Sequence, residues 1–139
     1  MKIFAAILAG LTAVTAQSIV IGAPAPGTKL TAGQSTVINV ETPAFLSSSQ
    51  EVAVAIGIAS CVSFCPPTDE FLGNLLYQGS YTPKRVLNDP LQQPNQNFTV
   101  TIPSHFPKGL ASIGVAHFAL IGAGLQPWLQ TKNVSVVIQ

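Results

Sequence analysis

Apolar and polar residues alternate over short stretches of this chain, which is the pattern of β-strands with two different faces. The clearest stretch is Glu51–Ser60, where large residues occupy every second position and mostly Ala or Gly stands between them. The large residues are Val52, Val54, Ile56 and Ile58. A helix would bring only Val52, Ile56 and Ala59 together, and the β-branched content also favours a strand. We therefore predict a strand with one large face and one small face, both of them covered.

Six further stretches read as strands and are separated by Pro, Gly, Ser and Asn. These stretches are Ser18–Ala23, Ser35–Glu41, Leu75–Gln78, Asn97–Ile102, Ala111–Ile121 and Asn133–Ile138. One helical turn is expected at Thr68–Leu72, with Gly73 at its end. About seven short strands with turn signals between them, and no amphipathic helix, predict an all-β fold. The spacing favours an immunoglobulin- or fibronectin-like β-sandwich.

The first sixteen residues have a different character from the rest. Lys2 precedes the apolar run Ile3–Val14, and Thr15 and Ala16 follow as modest or small residues. This is the layout of a secretory signal peptide. The run is too short to span a membrane, which takes about 20 residues. We predict a signal peptide at residues 1–16 and a single extracellular β-sandwich domain at residues 17–139.

The charge balance of the chain argues against nucleic acid and anionic lipid as partners. The chain has six Lys and Arg against five Asp and Glu, and removal of Lys2 leaves the mature domain formally neutral. No basic stripe suited to nucleic acid and no polybasic cluster suited to anionic lipid is present. A surface so poor in charge would gain solubility from glycans. Two acceptor tripeptides begin at Asn97 and Asn133, and strand alternation places both on the solvent side.

The two cysteines, Cys61 and Cys65, stand in the run CVSFC. In an oxidising compartment they are expected to form a disulfide. The loop enclosed is very short, so the bond should shape that loop more than it stabilises the fold. A metal site would need further ligands, and His105 and His117 are the only histidines. We predict no metal and no cofactor.

Catalytic signatures are missing from the sequence. No G-x-S-x-G elbow or phosphate-binding glycine loop occurs. Glu41 and Glu51 stand at strand ends, where solvated charges are expected, and His117 is expected to be half-buried and bonded to a neighbour. An enzyme would need His105 or His117 in a cleft beside an acid. We predict that the protein is not an enzyme.

Aromatic residues in or beside loops are candidate binding residues. Tyr77, Tyr81 and Trp128 could form a strip that stacks on sugars or anchors a protein. Trp128 could equally close the end of the core. A carbohydrate-binding or cell-wall module is therefore an alternative to a protein-binding function. A lipid carrier is a further alternative, which would require a large apolar cavity between the sheets.

Five segments of the mature chain, taken in order, resemble the fungal family of necrosis-inducing secreted proteins. They are IVIGAPAPGTKLTAGQSTVINVET, EVAVAIGIASC, LGNLLYQGSYTP, NFTVTIP and GLASIGVAHFALIGAGLQPWLQTKNVSVVI. The most specific piece is HFALIGAG followed by a strand that carries N-x-S.

The resemblance implies a small secreted effector, without enzymatic activity, from a fungus that associates with plants. Members of the family act as suppressors of pattern-triggered immunity that bind receptor-like kinases and related cytoplasmic kinases, and some provoke plant cell death. The expected partner is therefore a plant immune receptor-like kinase, and the expected location is extracellular, including the host apoplast. No binding residues follow from the resemblance.

Overall fold

The structure is a computed structural model that describes residues 18–43 and 48–139. It forms eight strands and, within those residues, no helix. The strands are β1 Val20–Ala23, β2 Lys29–Leu30, β3 Ser35–Glu41, β4 Ser49–Ser60, β5 Asn74–Gly79, β6 Asn95–Thr101, β7 Gly109–Ile121 and β8 Gln126–Ile138. The all-β prediction is confirmed, while the predicted signal peptide at residues 1–16 lies outside the described residues.

The strands form two sheets, ordered β1-β3-β6 and β2-β8-β7-β4-β5. Within the described residues no helix is long and apolar enough to cross a membrane. The predicted helical turn is a single turn, in which the Phe71 N–H donates to the Pro67 carbonyl at 2.9 Å. The narrower assignment to an immunoglobulin- or fibronectin-like sandwich stays a prediction.

All seven predicted strands are present, and five of them, β4 to β8, are longer than predicted. β8 begins seven residues before the predicted Asn133, because β7 and β8 pair along their whole length as one hairpin, from Gly109 with Ile138 to Ile121 with Gln126. The extra strand, β2, has two residues and pairs in parallel with the end of β8. A two-residue strand is too short to show alternation, so the sequence pattern does not predict β2.

The two sheets face each other around one apolar core. Alternate residues of β3 and β6 from one sheet meet alternate residues of β4, β7 and β8 from the other. The completely buried Ile and Val members are Ile19, Ile38, Val40, Ile56, Ile58, Ile102, Ile113, Val115 and Val136. Side chains thus fill the space between the sheets, where the lipid-carrier alternative would place a cavity.

A β-bulge near the start of β4 changes which residues face this core. Glu51 pairs with Ala119 and Ala53 with Phe118, so Val52 is an extra residue on β4. The bulge turns the side chain of Val52 out to solvent and that of Glu51 toward the core. The prediction that Val52 shares the inner face with Val54 is therefore wrong, because an extra residue reverses the alternation.

The small face of β4 is covered by the connection between β4 and β5, as predicted. Leu72 lies over Gly57, so a Cβ atom at Gly57 would come within 2.7 Å of Leu72 Cγ. At Gly114, the register partner of Gly57 on β7, a Cβ atom would come within 2.6 Å of Thr68 Cγ2. The two glycines allow this connection to lie directly on the sheet.

Candidate functional site

The inner face holds a histidine–carboxylate pair close to the bulge of β4. His117 on β7 is 0 % exposed, and its Nε2 contacts Oε2 of Glu51, whose side chain is 14 % exposed. The prediction that His117 bonds a neighbour is confirmed, although the residue is fully rather than half buried. The expectation that Glu51 is a solvated strand-end charge is wrong, because the bulge places it beside His117.

Tyr81 extends this pair into a small buried polar network. Its hydroxyl donates to the Val40 carbonyl at 3.0 Å and lies 2.7 Å from the Thr42 hydroxyl. Because a phenol has one proton, Thr42 is the donor in the second bond. The Tyr81 ring meets the His117 ring edge to face, with the ring centroids 5.2 Å apart. Burial raises the pKa of Tyr81 to about 12.

The network is closed to solvent on the histidine side. The Nδ1 atom of His117 is buried and has no hydrogen-bond partner among the described residues. A reacting substrate would have to reach this imidazole through the packed core. The pair therefore joins β4 to β7 at the bulge, inside the core.

The other histidine, His105, forms no ion pair with a described acid. His105 lines a cavity of about 330 Å³ together with Phe71, Phe106 and Pro107. The only ion pair among the described residues is that of His117 and Glu51. In the same part of the chain, no three residues of His, Cys, Asp or Glu come together in a group able to hold a metal ion.

Cys61 and Cys65 form the predicted disulfide, with their Cα atoms 4.4 Å apart. The bond closes a ring at the start of the connection between β4 and β5. Val62 and Phe64, inside this ring, are 94 % and 73 % exposed. The disulfide thus presents two large apolar side chains to solvent. The run CVSFC was the sequence signal for the bond, but nothing in it indicated that Val62 and Phe64 would be exposed.

The three candidate binding aromatics do not form one strip. Tyr81 is buried in the core, and Tyr77 packs on Phe98 with the ring centroids 4.7 Å apart. Trp128 pairs with Ala119 at the end of the inner face and is 44 % exposed. Tyr81 is therefore inaccessible to a partner, contrary to expectation, because its hydroxyl is bonded inside the core.

Both glycan acceptor asparagines lie where alternation placed them. Asn97 is exposed on the outer face of the three-stranded sheet, and Asn133 is exposed on the outer face of the five-stranded sheet. The Asn97 Oδ1 atom accepts a 2.7 Å bond from Asn39 Nδ2. This bond leaves Asn97 Nδ2, the atom that a glycan occupies, free to be modified.

Comparison with known proteins identifies the family. Solved structures of superoxide reductase (neelaredoxin) from Ignicoccus hospitalis align with 86 % of this chain and 80 % of theirs, at 13 % identity and a TM-score of 0.48. Nothing about activity follows from a likeness at that level. Necrosis-inducing secreted protein 1 of Colletotrichum higginsianum (strain IMI 349063) is 32 % identical over 107 residues, which are 77 % of this chain and 69 % of the relative. The model of the Nis1 family matches residues 14–137. The chain is therefore a secreted protein that belongs to the Nis1 family.

Proposed function

We propose that this protein is a secreted, non-enzymatic fungal effector that suppresses pattern-triggered immunity by binding plant receptor-like kinases. The observation that carries the proposal is the family match over residues 14–137, together with a relative named for secretion and necrosis induction. The match spans nearly the whole described fold, so the family's function is proposed for the domain as a unit.

The geometry of the polar network supports a function without catalysis. A general base must reach the proton that it abstracts, either directly or through one water. His117 is fully buried between the two sheets, and its Nε2 already contacts Glu51. The histidine and the carboxylate therefore serve the packing of β4 on β7.

The surface supports a function in binding. Two loops present large apolar side chains to solvent, Val62 and Phe64 in one and Leu87 and Leu91 in the other. Exposed apolar side chains that lie together often mark surfaces where proteins bind. The mature domain has no net charge, so recognition would depend on shape and apolar contact more than on long-range steering.

A cellular experiment tests the proposal. The protein is expressed in leaves with an affinity tag, next to the Colletotrichum relative and an unrelated secreted β-protein, and immune signalling is triggered with a microbial elicitor. We expect a reduced signal and co-purification of receptor-like kinases with this protein and its relative only. An unaffected immune response, with no receptor-like kinase in the purified material, would contradict the proposal.

Wall polysaccharide is the second candidate ligand, and the exposure of Trp128 is what favours it. A single half-exposed tryptophan can stack on one sugar ring. However, Tyr81 is in the core and the Tyr77 hydroxyl donates to the Ser80 carbonyl at 3.1 Å, so neither ring extends the platform. Sedimentation with insoluble chitin and glucan measures this alternative, with Trp128→Ala as the variant that should lose any retention.

A further inference from the structure

We name the segment from Cys61 to Phe71, which follows β4, the stapled loop, because the Cys61–Cys65 disulfide closes its first part. We propose that its apolar tip, Val62 and Phe64, anchors this protein to its protein partner by entering an apolar pocket bordered by Lys or Arg side chains. The inference rests on the proposed function, namely that the protein acts by binding a partner protein.

The base of the stapled loop is firmly attached to the sheet. The Cys61 N–H donates to the Leu110 carbonyl at 2.9 Å, and the Phe71 N–H closes a turn onto Pro67. Thr68 lies directly over Gly114. The orientation of the loop relative to the sheet is therefore set by contacts that do not involve the tip.

Within the described part of the chain, the disulfide is the one covalent or hydrogen-bonded restraint on the tip. Among the described residues no hydrogen bond is made by Val62, Ser63 or Phe64. A cross-link around so few residues adds little to the stability of the whole fold, because the loop it closes was short already. Its main effect is to fix the shape of the tip, and a loop that is ordered before binding loses less entropy when it binds.

The second exposed apolar loop lacks this bracing. Leu87 and Leu91 are 87 % and 89 % exposed, so they match Val62 and Phe64 in exposure. Their loop is closed by hydrogen bonds alone, among them the Lys84 N–H to the Asn95 carbonyl at 3.0 Å and the Asp89 N–H to the Val86 carbonyl at 3.4 Å, and it contains no cysteine. This loop has equally exposed apolar side chains but no covalent cross-link, and it therefore provides a matched control.

Charge gives the chemistry of the partner. Asp69 and Glu70 are exposed in the stapled loop, and neither belongs to the single ion pair of the described residues. Lys132 lines a cavity with Asp69 without pairing with it. The loop that carries the apolar tip therefore also carries two carboxylates outside any ion pair, and basic groups around an apolar pocket complement that combination.

The test compares three forms of the full domain for binding to purified plant receptor-like kinases and for immune suppression in leaves. These forms are wild type, Val62→Ser/Phe64→Ser and Leu87→Ser/Leu91→Ser. All four positions are exposed, so each variant should keep the wild-type melting temperature. We expect at least about tenfold weaker binding and loss of suppression for the tip variant, with the control unchanged. A fourth form, Cys61→Ser/Cys65→Ser, keeps both apolar side chains but releases the tip. It should therefore bind more weakly than wild type.

Other outcomes overturn the inference in distinguishable ways. Equal binding by wild type and the tip variant would remove the docking surface and leave the proposed function intact. Equal losses in the tip and control variants would also remove it. A wild-type protein that neither binds a kinase nor suppresses signalling would remove the proposed function and the docking surface together. A concentration-dependent dimer in sedimentation velocity that the tip variant abolishes would assign the tip to a second copy of this chain instead.

Discussion

The imidazole of His117 contacts the carboxylate of Glu51 inside the sandwich, although alternation along β4 would place Glu51 on the outside. One extra residue, Val52, causes the difference by reversing the alternation at the bulge. The pair therefore depends on the register of β4 against β7. It also brings a histidine and a carboxylate into the core between the two sheets.

Removal of the carboxylate should destabilise the fold. Glu51→Ala leaves the buried Nε2 atom of His117 without a partner, which should lower the free energy of unfolding by about 1–3 kcal/mol. The double variant Glu51→Leu/His117→Phe removes both polar groups and should be less destabilised than Glu51→Ala. Denaturant titration measures both values, with exposed Glu70→Ala as a control within about 0.5 kcal/mol of wild type. Equal effects of Glu51→Ala and Glu70→Ala would show that the pair contributes nothing.

Tyr81 should make the protein sensitive to alkali. Burial raises its pKa from 10.0 to about 12. Between these values the folded protein keeps a proton that the unfolded chain has released, so the free energy of unfolding should fall as pH rises. The total decrease should be about 2–3 kcal/mol, since each pKa unit corresponds to about 1.4 kcal/mol.

Stability measured from pH 9 to pH 12 by denaturant titration checks this contribution. In Tyr81→Phe, the free energy of unfolding should fall over this pH range by about 2–3 kcal/mol less than in wild type, because the ionising hydroxyl is absent. The substitution also removes the bonds to the Val40 carbonyl and the Thr42 hydroxyl. Tyr77→Phe, which keeps Tyr81 in the core, is the matched control. A decrease of the same size in Tyr81→Phe and wild type would assign the alkaline sensitivity to other groups.

Gly114 should tolerate no side chain, because the stapled loop lies on it. In Gly114→Ala the new methyl group would come within 2.6 Å of Thr68 Cγ2 and 3.1 Å of Leu72 Cδ1, so the loop would have to shift. We expect a loss of about 1–3 kcal/mol in the free energy of unfolding. Gly124→Ala, whose methyl group enters open space, should stay within about 0.5 kcal/mol of wild type. Two equally stable variants would argue that the loop does not rest on β7.

We propose that Asn97 and Asn133 are glycosylated in the secreted protein. Both side chains are exposed, and they lie on opposite outer faces of the sandwich. Protein secreted from a fungal host should lose mass with Asn97→Gln and with Asn133→Gln, and the two losses should add in the double variant. Intact-mass spectrometry before and after treatment with an N-glycosidase gives the measurement. Identical masses for wild type and the double variant, after correction for the substitutions, would contradict the assignment.

Much of the fold followed from local pattern. Alternation identified β3 with its observed bounds and placed Asn97 and Asn133 on the outside, because a half-buried strand shows its two faces directly in the sequence. The small face of Glu51–Ser60 correctly indicated that something covers it. The disulfide followed from the compartment and the number of cysteines.

The rest depended on information that is not local. Alternation cannot show a bulge, so Val52 and Glu51 were assigned to the wrong faces. Tyr81 stands in a loop sequence, and its burial arises from bonds to Val40 and Thr42, which are far away in the chain. Apolar side chains are usually expected to be buried, so the exposure of Val62 and Phe64 could be seen only in the three-dimensional structure of the stapled loop.

We propose that the protein acts by binding a receptor-like kinase rather than by catalysis. Isothermal titration of the purified mature domain into a purified kinase tests this claim most directly, with the Colletotrichum relative as a comparison and the Val62→Ser/Phe64→Ser variant as a control. We expect saturable, stoichiometric binding of the wild-type domain, with the kinase recovered unmodified afterwards. Absence of a binding signal for every kinase tested, or covalent modification of the kinase by catalytic amounts of the protein, would contradict it.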